Sequence, residues 1–126
     1  MAVNPYKKYQ EQSVSTMTQG ELLNLLYETC SKRLNAGVFY IEEKKFDLAD
    51  ESLQKGIKIL NYLNNTLDRN YEISGNLSSL YQYFISQIIK GNVKRSTEPI
   101  KEVIPMIDDL GKTFKQAEIQ VRKNRA

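Results

Sequence analysis

Apolar residues recur at steps of three and four along most of this 126-residue chain, with almost no turn residues between them. That period belongs to one face of an α-helix. Only six Gly and three Pro interrupt it, so long helices are the first expectation. Thr18-Gln19-Gly20-Glu21 has the spacing of a capping box. From there Leu22, Leu26, Cys30, Leu34, Gly37 (or Val38) and Ile41 predict a first helix that fades into Glu42-Glu43-Lys44-Lys45. A second is predicted to open at Asp47 as N-cap, with Leu53, Gly56, Ile57, Leu60, Leu63 and Leu67 on its stripe. A third starts between Ile73 and Asn76, carries Leu77, Leu80, Tyr81, Phe84, Ile85, Ile88 and Ile89, and is expected to stop at Gly91-Asn92. The fourth has Thr97 as N-cap and Pro99 in its first turn, where a missing N–H costs little. Its stripe runs from Ile100 through Phe114 and Ala117 to Val121, with a kink expected at Pro105.

Four amphipathic helices joined by short loops bury their stripes as an all-α, antiparallel four-helix bundle. Residues 1–17 hold Tyr6, Tyr9 and Val14 without a helical period and are expected to form an extended N-terminal arm. Residues 18–126 then make up the bundle, a single domain by length.

Composition removes several function classes. The chain has no His and one Cys, which leaves no histidine phosphotransfer site, no Glu-x-x-His di-iron ligands, no disulfide and no thiolate zinc cage. Neither metal nor cofactor is expected. The adjacent carboxylates Glu42-Glu43 and Asp108-Asp109 point about 100° apart on a helix, so neither pair converges on one atom. Cys30 lies on a core stripe with no base beside it, and no Gly-rich phosphate loop is present. An enzyme is not expected. The net charge of +3 concentrates in residues 111–126, at +4, while residues 21–110 carry −2. Basic residues in a last helical turn suit the helix dipole, so nucleic-acid binding is the weaker explanation. No stretch approaches the ~20 apolar residues of a membrane span, and the first 20 residues lack the apolar core of a secretory signal. A reduced, cytoplasmic setting is the default.

The eight tyrosines are the informative excess. A Tyr offers a rigid apolar body and a polar tip, suited to a surface that is dry when occupied and wet when empty. Taken singly, a stripe Tyr is more often core rim than binding site. With the wide stripes of the first three helices, they predict a groove for an amphipathic partner segment.

Several of these residues resemble one family. Asn4-Pro5-Tyr6 with Tyr9 and Val14, then Glu21-Leu22-Leu23 leading into Leu25-Leu26-Tyr27, is similar to the opening of the flagellar export chaperones named FliS. Leu60 through Leu67-Asp68 continues the likeness. Its most specific part is Glu72-Ile73-Ser74-Gly75-Asn76-Leu77 running into Leu80-Tyr81-Gln82-Tyr83. Gly91-Asn92 stands where that family usually has Ala-Asn, and two departures appear: Phe114 for a common Trp, and Thr18-Gln19 for a common Ser-Pro. The resemblance implies a cytoplasmic chaperone for the disordered C-terminal segment of flagellin. Such a chaperone blocks premature polymerisation and helps deliver the subunit to the flagellar type III export gate. With it comes a candidate partner-binding set: Tyr6, Tyr9 and Val14 in the arm, Leu22 and Tyr27 on the first helix, Ile59 and Tyr62 on the second, Leu77 and Tyr81 on the third. The arm is expected to rest in the empty groove. The competing expectation is a four-helix adaptor that takes another amphipathic helix, with a homodimer possible.

Overall fold

The computed structural model describes residues 16–125, the side chains of Arg122 and Arg125 excepted. They form four helices, α1 (Gln19–Glu42), α2 (Phe46–Asn65), α3 (Ile73–Lys94) and α4 (Glu98–Arg125), with no strand among the described residues. Successive helices run antiparallel, and α1 and α3 each pack against both α2 and α4. The four-helix bundle is all-α, as the periodicity predicts.

The start of α1 follows its capping signal. Thr18 is extended, and its Oγ1 accepts a hydrogen bond from the Glu21 N–H at 3.1 Å. Other ends differ from expectation. Asp47 is not the cap of α2, because the helix already begins at Phe46, and Lys45 before it offers no side-chain cap. Gly91 does not stop α3. It lies buried inside the helix, which runs on to Lys94 and ends at Arg95 in the left-handed region, φ 52°. The Arg95 guanidinium, 4.1 Å above the Phe46 ring, holds this turn against the start of α2. Pro105 sits within α4, which continues through it. The carbonyl deprived of its helical partner belongs to exposed Lys101, where solvent can satisfy it. The stripe of α4 also fades earlier than its sequence suggests: Phe114 is half-buried, while Ala117, Ile119 and Val121 are exposed.

The core is continuous. Leu34, Leu53, Leu60, Ile88, Ile100, Val103 and Ile107 are fully enclosed. The α1–α2 seam is the tightest contact. A Cβ on Gly37 would fall 2.3 Å from Leu53 Cδ2, and one on Gly56 2.7 Å from Leu34 Cδ2. Polar groups in the seam are matched. Ser52 Oγ donates to the Arg33 carbonyl at 2.7 Å, and the Cys30 thiol to the Gly56 carbonyl at 3.6 Å.

A candidate partner-binding groove at one end of the bundle

The antiparallel arrangement brings the start of α1, the end of α2, the start of α3 and the second half of α4 to the same end of the molecule. There they leave between them a groove of about 380 Å³. From α1 it is lined by Leu22, Leu23 and Leu26, all half-buried. Tyr62, Leu63 and Leu67 face it from α2 and the residues just beyond, Leu77 and Tyr81 from α3, and Phe114 from α4. Asp68, on the rim, is the one charged residue of the lining. Tyr62 is 48 % exposed, and past Asp68 the α2–α3 connection leaves Tyr71 67 % and Ile73 60 % exposed. Apolar surface therefore continues beyond the groove itself. The volume holds a few side chains and not a helix about 10 Å across. A segment would lay an apolar face on it, with its anchors in the hollow.

Beneath the groove, Tyr27 of α1 and Tyr81 of α3 meet across the core, their hydroxyls 2.5 Å apart. Phe114 stacks on the Tyr27 ring at 5.8 Å between centroids. Gly111 allows α4 this close, since a Cβ there would sit 3.0 Å from that of Tyr27. Burial pushes both phenols above their ordinary pKa of 10.0. Cys30, on the core side of α1, is pushed up from 9.0 to about 12, chiefly by burial and secondarily by the charge of Asp108. It is thus a protonated thiol at neutral pH, not a nucleophile.

Of the candidate residues, the structure brings Leu22, Tyr62, Leu77 and Tyr81 together in the groove. Tyr27 is a core residue, 3 % exposed, that does not line the groove and touches it through the wall residues Tyr81 and Phe114. Ile59 is half-buried against the core and does not line the groove. Tyr6, Tyr9 and Val14 lie outside the described residues. Sequence reasoning missed Leu23, Leu26, Leu67 and Phe114 as groove walls, because each falls on or beside a core stripe. The one signal was positional: Leu23, Leu26 and Leu67 stand towards helix ends that an antiparallel bundle must gather together, while Phe114, well inside α4, carried none. Among the described residues no group of three or more His, Cys, Asp and Glu side chains converges, and no helix is long and apolar enough to cross a membrane.

Comparison with known proteins agrees with the motif. The family profile described as flagellar protein FliS matches residues 2–121. The flagellar secretion chaperone FliS of Bacillus subtilis is 36 % identical over 97 % of this chain and 92 % of its own length. Its counterpart in Salmonella typhimurium is 28 % identical over 84 % of this chain and 81 % of its own. The flagellar secretion chaperone FliSB of Pseudomonas aeruginosa is 29 % identical over 84 % and 89 %.

Proposed function

Because this chain belongs to the FliS family of flagellar proteins, we propose that it is an export chaperone whose end groove receives the disordered C-terminal segment of flagellin. The observation that supports this is the groove itself, a hollow walled by half-buried leucines and an exposed Tyr at one end of a closed bundle. Exposed apolar surface of this kind is costly in an isolated protein and is recovered by a partner. A segment that orders on binding loses ~2–5 kcal/mol or more of the gross interaction energy. Shallow contacts spread over the groove, Tyr62 and the Tyr71–Ile73 surface can offset that loss without one deep anchor. Affinity built this way also suits a complex that must come apart at the export gate. Covering the segment in the cytoplasm keeps subunits from polymerising early.

Calorimetric titration with the flagellin C-terminal segment, followed by circular dichroism of the mixture, tests the proposal. Helicity should exceed the sum of the separate components, and the binding heat-capacity change should be negative. A spectrum equal to that sum speaks against coupled folding, and absence of binding speaks against flagellin as the client.

A further inference from the structure

The core-facing stripe of α4 ends in a charge. Ile107, Gly111, Phe114 and Glu118 follow one another at steps of four, three and four, so they share one side of the helix. Between residues 115 and 121 every residue is exposed except Glu118, which is half-buried. A carboxylate drawn partly out of water needs a favourable partner. Glu118 meets one at the start of α1. A Cβ built on Gly20 would fall on the Glu118 carboxyl group, so the carboxylate fills the space that Gly20 leaves by having no side chain. Asn24 Nδ2, one turn further along α1, donates to Glu118 Oε2 at 3.5 Å. Gly20 lies in the first turn of α1, where the helix dipole favours negative charge. Thr18 caps this end from within its own turn, and Glu118 brings a full charge to it from another helix.

We propose that Glu118 is a positioning residue of the groove: its carboxylate ties the second half of α4 to the first turn of α1 and so fixes the Phe114 wall. The effect on binding rests on the client assignment made above. Gln19, Gly20 and Phe114 all line the groove, so the tie sets the corner between its α1 and α4 walls. Phe114 is stacked on Tyr27, and Glu118 holds the turn of α4 that follows. Glu118 does not itself line the groove, so it acts through that wall and not on the bound segment. A wall already in place when the segment arrives need not be ordered on binding, and preorganisation of this kind raises affinity.

Full-length wild type, Glu118→Ala, Gly20→Ala and the double variant test this with two readouts. Gly20→Ala is informative because its methyl group would evict the flexible carboxylate while Ala suits a helix at least as well as Gly. In hydrogen exchange of the free protein, both single variants should speed exchange over residues 111–118 and leave the middle of α2 as in the wild type. Unchanged exchange overturns the tie, whatever the client. In titration with the flagellin C-terminal segment, each single variant should bind about threefold to fivefold more weakly, the scale of a charge at a helix end. The double variant should bind no more weakly than Glu118→Ala, since the group that the Gly20 methyl evicts is already gone. Additive losses would mean that this methyl group blocks the segment directly, and they overturn the positioning role; single variants that bind like the wild type do the same. A wild type that does not bind the segment removes the client assignment, and the exchange result then decides the tie by itself.

Discussion

Two glycines in contrasting surroundings show how burial sets the effect of one methyl group. Gly37 lies in the α1–α2 seam, where an added Cβ would come within 2.6 Å of Leu53 Cγ as well as its methyl. Leu53 is fully buried and has nowhere to turn. Gly37→Ala should therefore lose about 1–3 kcal/mol to overpacking, more than the ~0.5–1 kcal/mol that Ala gains within a helix. Gly75, in the first turn of α3, has nothing within 4 Å of the same position. Gly75→Ala should show the helix-propensity gain alone, ~0.5–1 kcal/mol of added stability. Urea midpoints of the two variants should thus move in opposite directions, and a stabilised Gly37→Ala would mean a looser seam than described. The tyrosine pair belongs to the same scale. Tyr27 and Tyr81 were legible as large residues near a stripe, but not as partners, because 54 positions separate them in the chain.

The helices were legible in their middles and less so at their ends. A period of three to four residues is fixed by the α-helical repeat, so it survives any arrangement of neighbours. The end of a helix depends on what the next few residues can do. Lys44 and Arg95 take positive φ, 59° and 52°, which nothing in their residue types announces. Nor do the residue types announce that α3 runs on past Gly91 or that α2 starts a residue before Asp47. Where the sequence carries a self-contained device, the boundary is readable: the Thr18 hydroxyl satisfies a first-turn N–H of α1. Thr18→Ala should lower stability by ~1 kcal/mol. Thermal melts compared with Thr18→Ser, which keeps the hydroxyl, check this. Equal melting of the Ala and Ser variants would show that the cap contributes nothing.

At the scale of the whole molecule, burial of ionisable groups ties stability to alkaline pH. Cys30 titrates near 9.0 when exposed and near 12 in the fold. A group whose pKa is raised by folding stabilises fully below its unfolded value and loses that contribution as pH rises towards the folded one. The Cys30 contribution is therefore intact below about pH 9 and fades from there towards about 12, at up to ~1.4 kcal/mol per pH unit. Tyr27 and Tyr81, both raised above 10.0, add to the loss at higher pH. Urea midpoints should hold from neutral pH to about 8.5 and then fall. Cys30→Ala should make the first part of that fall shallower; an identical slope would mean that the thiol is not desolvated as the fold implies.

The sequence by itself determined the helix count, the all-α class, the start of α1 and, through the Asn76-Leu77 to Leu80-Tyr81 signature, the family. These are local properties: periodicity, caps and contiguous motifs are written over a few neighbouring residues. Only the tertiary structure decided which apolar residues seal the core and which stay half open as a groove. By periodicity alone Leu22, Leu23 and Leu26 read like core positions, as Leu60 and Ile88 do, and only the family resemblance set Leu22 apart. The difference is that the first three line the groove and stay half-buried, while the other two are enclosed by the neighbouring helices. Burial is a property of what the other helices bring to a position. Residues from four distant stretches must first be gathered at one end before any of them can be told apart as wall, floor or core.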